Sequence, residues 1–335
     1  MERSVRERVV RTCNPATIEA ELESLWRELA DQMPAARAIM SNLVVFQDPA
    51  ADADEIERAI VDVAEHHASR IIVLVHSDPA RQREPVGASV GVLLFGPQGS
   101  RHGVEQITIR SVCAQEGLPS IVRRLVVGDL PTAVWWTGDL SQTPPIAALV
   151  GMGRQFVFDS AQWRDVAAGL ATMVALLSEA RTPEIVDINW RSFEPLRRAL
   201  GRRLRDLNRA GATPTRIQVR HHPRDAARAW LLVGWLGSRV GPLGDRHPIT
   251  TLDLDQAVPQ PLSVLIDYGA GSGLSAEMDD SRVLVKETSA VVPFSVHVPL
   301  ESIAEAVTAE LRGLGREPAL VDAIREAHRR LTSRA

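Results

Sequence analysis

Gly87 to Gly91 reads GASVG, the spacing of a nucleophile elbow, in which Ser89 would attack an acyl carbon from a sharp turn between a strand and a helix. The residues that follow, VLLF, continue an apolar strand and open no helix, so Ser89 is expected within an extended segment. Gly269 to Gly273, GAGSG, would cradle phosphate if it opened a helix whose first amides faced the anion. The stretch LSAEMDDSRVLV after it reads as a hairpin arm and predicts a turn. Gly151 and Gly153 form a GxG without a third glycine or a following helix. His66 and His67, like His221 and His222, are adjacent and point apart, whereas zinc needs about four convergent ligands. His67 falls on an apolar stripe and is expected as a satisfied, partly buried imidazole. No catalytic, cofactor-binding or metal-ligating set is assigned. Arginine is different: Arg191, Arg197, Arg198, Arg202, Arg203 and Arg205 crowd one expected helix. The spacing 191, 198, 202, 205 gathers guanidinium groups on one side, where they would receive phosphate or an acidic partner. A solvated face is the alternative.

The elements that must position these residues follow from periodicity. Asn14 and Pro15 read as a helix start, with Ile18, Leu22, Leu25, Trp26 and Leu29 at helical spacing. Apolar runs at 43–46 and 70–76 flank a helix from about Asp54, a strand, helix, strand unit of a parallel or mixed sheet. Further strands are expected at 86–95, 104–111, around Trp135 and at 155–158, giving a first sheet of about six strands. A helix is expected near 120–126, and the last helix carries Trp163, Val166, Ala167, Leu170, Val174 and Leu177 on one stripe. Beyond Pro183 a helix from Trp190, a strand at 216–220 and a buried helix with Trp230 and Trp235 precede a loop-rich stretch, 241–261. Strands at 262–268, 282–286 and 294–298 are joined by short turns, so the second sheet is expected to be largely antiparallel. Ser302 with Glu305 forms a capping box, and Pro318 suits a first turn. The fold class is α/β, α+β overall: an N-terminal α/β domain, 1–181, with a mixed, partly parallel sheet flanked by helices, then a C-terminal α+β domain, 182–335.

Composition narrows the partners. A length of 335 residues suits two domains, and 45% hydrophobic with 24% charged residues is that of a globular chain. The net charge of −4 points to neither nucleic acid nor an anionic membrane. The most apolar helical stretch, AWLLVGWL, is far short of the roughly 20 residues that span a bilayer. The charged N-terminus lacks the apolar stretch of a signal peptide, and Cys13 and Cys113 alone make neither a disulfide framework nor a zinc site. A cytoplasmic location is expected.

Asp129 to Asp139, DLPTAVWWTGD, sets Trp135 beside Trp136 in a strand, where neighbours point to opposite faces. One indole then anchors the core, and the other meets whatever covers the second face, a helix of this chain or another protein. Taken with RTCNPATIEAELESLW, HHASRIIVL, EQITIRSV, DSA at 159–161, DINW at 187–190 and AWLLVGWLGSRVG, this block resembles the glucose-6-phosphate dehydrogenase assembly protein family, OpcA. The blocks keep the family's order from about residue 12 to residue 241. The resemblance implies a non-enzymatic protein without a cofactor that binds glucose-6-phosphate dehydrogenase, promotes its active oligomeric form and so activates the oxidative pentose phosphate pathway. Family-like positions are Glu105, Gln106, Ile107, Thr108, Trp135, Trp136, Asp187, Asn189 and Trp190. Glu105, Gln106, the three tryptophans, Asp187 and Asn189 join Arg191, Arg198 and Arg202 as the candidate partner-binding set. Leu196 stands where the family tends to show a further Trp, and Cys13 with Cys113 does not clearly reproduce the cysteine pair of redox-sensitive relatives. Two rivals stay open: an enzyme binding a sugar phosphate or nucleotide between the domains, and a scaffold that acts only during assembly.

Overall fold

Leu43, Val44, Val45 and Phe46 are consecutive, apolar and all buried, as a strand covered on both faces requires. They form the centre of the larger of two sheets. The computed structural model describes residues 7–49, 51–76, 86–97, 99–111, 117–143, 145–179, 181–209, 211–239, 249–253, 262–288, 293–313 and 317–333. In chain order the first sheet is built from β1 (Glu7–Cys13), β2 (Ala36–Arg37), β3 (Ser41–Gln47), β4 (Ser69–His76), β5 (Val86–Phe95), β6 (His102–Ser111), β7 (Thr132–Trp136), β8 (Gln155–Phe158) and β9 (Glu184–Asp187). Its helices are α1 (Ile18–Gln32), α2 (Ala53–His66), α3 (Leu118–Leu125), α4 (Ala147–Val150) and α5 (Val166–Leu176). The strand order is β1-β5-β6-β4-β3-β7-β8-β9, with β2 paired to β6. All pairings from β6 to β9 are parallel; at one edge β5 pairs antiparallel with both β6 and β1. The parallel part is thus doubly wound, with its order reversing between β3 and β7.

The sheet is mixed and flanked by helices, as expected, but has nine strands among the described residues, against the six or so expected. The additions are short or lie on the rim, where one covered face leaves a weak apolar signal. β1 alternates half-buried and exposed positions. β9 begins beyond residue 181 and completes the first sheet from the far side of the expected boundary. Trp163 lies outside α5, whose buried positions are Gly169, Leu170, Met173 and Leu176 in place of the stripe expected from Trp163.

The second part contains α6 (Ile188–Ser192), α7 (Glu194–Arg209), β10 (Arg216–His221), α8 (Ala226–Arg239), β11 (Ile249–Asp253), β12 (Leu262–Gly269), β13 (Ser272–Met278), β14 (Arg282–Glu287), β15 (Phe294–His297), α9 (Ile303–Arg312) and α10 (Pro318–Thr332). Its six-stranded order is β11-β10-β12-β13-β14-β15, antiparallel except for the parallel pair β10 and β11. β11 falls in the stretch read as loop-rich. GAGSG is a turn: Gly269 and Gly271 hold φ of 80° and 77°, a left-handed backbone that glycine adopts without a steric cost. Ser89 sits inside β5, paired with Thr12 and Thr108. His67 Nε2 is 3.0 Å from Ser41 Oγ, as a satisfied imidazole should be. Cys113 lies outside the described residues.

Two apolar clusters divide the first sheet by face. Leu43, Val45, Val73, Ala133 and Trp135 pack with α2 and with Ala304, Val307 and Leu311 of α9. Val44, Phe46, Leu74, Val134 and Trp136 face α1, α3, α4 and α5, and this cluster continues through α8 and α10 into the second sheet. No described helix is long and apolar enough to cross a membrane.

Candidate functional site

Open α/β sheets bind ligands outside the carboxyl ends of the strands, where the order reverses. Here that place lies between the ends of β3 and β7, and their last partnered residues, Phe46 and Trp136, are in register. The two rings stack with centroids 3.9 Å apart and 4° between planes. Thr137 stitches the exit shut: its N–H and its hydroxyl each donate to Phe46 O at 3.1 Å, and its Oγ1 accepts from Asp48 N at 3.2 Å.

A dinucleotide is the group such a strand order commonly holds, through a glycine-rich turn that presents helix amides to the pyrophosphate. The turn here reads QDPAAD, without glycine. The Asp52 carboxylate already accepts from Asp54 N and Glu55 N at 3.0 and 3.2 Å, and Asp54 and Glu55 add charge to the first turn of α2. These residues do not fit a dinucleotide, because an anion would meet carboxylates where it needs free amides.

Trp135 takes the opposite face and packs between α2 and α9, 2% exposed. Both coverings foreseen for the second indole come down to one: a helix of this chain, contributed from beyond residue 300.

DSA and DINW, separate blocks in the sequence, meet at the carboxyl ends of β8 and β9. Asp187 Oδ1 accepts from Ser160 N at 2.9 Å and from Asn189 N at 3.0 Å, and Oδ2 accepts from Ser160 Oγ at 2.7 Å. Asn189 Nδ2 donates to Ser160 Oγ at 2.9 Å, and Asn189 Oδ1 accepts from Arg228 Nε at 3.0 Å. Asp187 therefore caps α6 and, through Ser160 and Asn189, ties the first sheet to α8. Burial first, then the charge of Asp159, push its carboxyl up to about 7 despite the three donors. Trp190, next in the motif, is 1% exposed beneath the Arg197 guanidinium, which lies 3.8 Å from its ring centroid.

Glu105, fully buried on β6, is the centre of a second network. It accepts from Arg70 Nε and Trp26 Nε1, each at 2.8 Å, and pairs with Arg37 at 2.6 Å. Arg70 continues to Glu19 at 2.9 Å and to Leu125 O at 2.8 Å. Gln106 points the other way, and its amide reaches Glu57 at 3.4 Å.

Seven of the candidate contact residues, Glu105, Gln106, Trp135, Trp136, Asp187, Asn189 and Trp190, are thus buried within the chain. They shape the protein from inside. The arginines also divide. Arg191 belongs to α6, apart from the expected helix, and pairs with Glu301, just ahead of α9, and with Glu310 on α9, both at 2.7 Å. Arg198 and Arg202 lie on α7 and are exposed. A cleft of about 630 Å³ runs past Arg191, Arg228, Met278 and Leu300. Arg70, Ser160 and Arg228 complete these networks, and the isolated position of Arg228 in α8 carries no sequence signal of its own. Arg70 had a signal, a charge at the head of the apolar run IIVLV, which marks a buried ion pair.

Two family models match the chain in succession. They describe the N-terminal domain of a glucose-6-phosphate dehydrogenase subunit, matched over residues 60–175, and the C-terminal domain of the same, matched over residues 183–324. No curated protein matches. Among solved structures, the transcriptional regulator Gal80p from Kluyveromyces lactis is similar at 11% identity over 93% of this chain and 94% of that one, with a TM-score of 0.46. An NAD binding oxidoreductase from Klebsiella pneumoniae is similar at 7% identity over 88% and 96%, with a TM-score of 0.48. Likeness of that degree specifies no activity. The two matched domains occupy most of the chain in order, and the chain belongs to the glucose-6-phosphate dehydrogenase assembly protein family, OpcA.

Proposed function

We propose that this chain is a cytoplasmic, non-enzymatic assembly factor of glucose-6-phosphate dehydrogenase that binds the active oligomeric state and so activates the oxidative pentose phosphate pathway. The family's name supports the choice of partner. The observation that supports a non-enzymatic role is the switch point, where Phe46 and Trp136 stack and Asp52 takes the helix amides. The polar groups at the next strand ends, Ser160 and Asp187, are bonded to each other and to Asn189.

Activation then works by differential binding, because a ligand with equal affinity for two states shifts neither. A coupling of about 1–3 kcal/mol changes substrate affinity by about 5- to 150-fold, and linkage makes the effect reciprocal. Glucose 6-phosphate therefore tightens the complex if the factor tightens the hold on substrate. Mixing the purified chain with the dehydrogenase of the same organism is the decisive test, read by light scattering and by activity. A heavier species with raised activity is expected; unchanged mass and unchanged rate with the chain in excess sink the reading.

The rival, an enzyme of sugar phosphates or nucleotides, has the 630 Å³ cleft in its favour, a volume in the range of small-molecule sites. Its two central cations are committed, Arg191 to Glu301 and Glu310, Arg228 to Asn189 and Asp225. A thermal-shift hit with sugar phosphates on the chain alone, lost on Arg228→Ala, would favour the rival.

A further inference from the structure

Six guanidinium groups outside both networks gather along one groove. α7 and the end of α8 form one wall, and β14 and β15 form the other, around a volume of about 1290 Å³. Six arginines line it against four carboxylates, in a chain whose net charge is −4, so the groove is a basic strip on an acidic protein. Its carboxylates already have partners on the walls: Glu194 holds Arg198 at 2.7 Å, Glu317 holds Arg197 at 2.8 Å, and Glu287 and Asp206 hold Arg203. Arg202, Arg205 and Arg239 are exposed and have no anionic partner among the described residues.

Two observations indicate what fits there. The volume exceeds the roughly 300–1,000 Å³ of small-molecule pockets, and the three cations come from two helices, Arg202 and Arg205 on α7 and Arg239 at the end of α8. Phe294, 45% exposed, lines the same groove beside Val296 on β15, the edge strand of its sheet. An edge strand has backbone groups to offer an extended chain, and aromatic side chains with arginine form the residue mixture of protein interfaces.

We propose that this groove docks an acidic, extended segment of the dehydrogenase, with Arg202, Arg205 and Arg239 holding its carboxylates and Phe294 burying one apolar side chain. The proposal rests on the partner named above. It is tested on the full chain by calorimetric titration with the dehydrogenase of the same organism, comparing Arg202→Glu/Arg205→Glu and Phe294→Ala with Arg123→Glu/Arg124→Glu. The last pair is exposed on α3 and changes the net charge equally. The groove variants are expected to weaken binding about 30-fold or more, the scale of an interface hot spot, with unchanged melting temperature, while the α3 variant binds as wild type does. Wild-type affinity in the groove variants overturns the groove and leaves the partner standing; an equal loss in the α3 variant overturns it too, as unspecific charge attraction. A wild-type chain that does not bind the dehydrogenase removes both readings. Inorganic pyrophosphate is the remaining probe. If it raises the melting temperature of wild type but not of Arg202→Glu/Arg205→Glu, and the latter still binds the dehydrogenase, the groove is a small-anion site and the docking face is wrong.

Discussion

Glu105 is a carboxylate with no solvent exposure, held by Arg70, Arg37 and Trp26. Removing one partner of a buried ion pair leaves the other charged and unsolvated, which costs about 3–5 kcal/mol. Glu105→Ala is therefore expected to lower unfolding free energy by about that amount in urea titration, with Glu105→Gln clearly milder because its amide oxygen still accepts from Arg70. Asp187 makes a pH prediction. Its folded carboxyl titrates at about 7, well above the ordinary 3.8, so on raising pH the unfolded chain loses this proton first. Between those values the folded state binds more protons, and stability falls as pH rises, by at most about 1.4 kcal/mol per unit. Below the ordinary carboxylate range and above pH 7 the contribution is flat. Subtracting the Asp187→Asn profile from wild type isolates this slope, and parallel profiles from pH 4.5 to 7.5 would disprove it.

At the scale of elements, α8 shows how a glycine in an apolar helix reports on packing. A Cβ added at Gly234 would run into the backbone of α10 at Ala323, so the two helices touch main chain to main chain. Helix propensity alone favours alanine over glycine by about 1 kcal/mol. Gly234→Ala is nevertheless expected to destabilise by about 1–3 kcal/mol, because α10 must move away. A raised melting temperature in that variant would contradict the contact. The stripe of α5 and the single helix expected to carry Arg191 with Arg198 show the limit of local periodicity. Phe193 interrupts the helical run, so Arg191 turns to α9 while Arg198 stays on α7. Spacing along one continuous helix cannot register such a break.

Over the whole molecule, β9 and α9 bind the two sequence halves together. α9 follows the second sheet in the chain yet covers Trp135 and Val157 on the first. Gln155 Nε2 donates to Glu310 O and Gly313 O at 3.1 Å, which fastens the end of α9 to β8. A fragment of residues 1–181 lacks both elements and keeps α2 but uncovers Trp135 and Val157 where α9 packs on that face of the first sheet. It is expected to bind the dye ANS and to melt without a cooperative transition; a sharply melting, monomeric fragment would show that the first sheet is self-sufficient. The sequence by itself determined the types of the long, periodic elements, the α/β class, the largely antiparallel second sheet and the family, because side-chain period, turn chemistry and ordered blocks are local properties of the chain. Only the tertiary structure decided the strand order, the closure of its switch point by Phe46 and Trp136, and the burial of the DINW and Glu105 motifs. Those depend on partners far apart in the chain, Arg70 with Glu105, Ser160 with Asp187, Asn189 with Arg228, whose meeting is set by how the sheet winds.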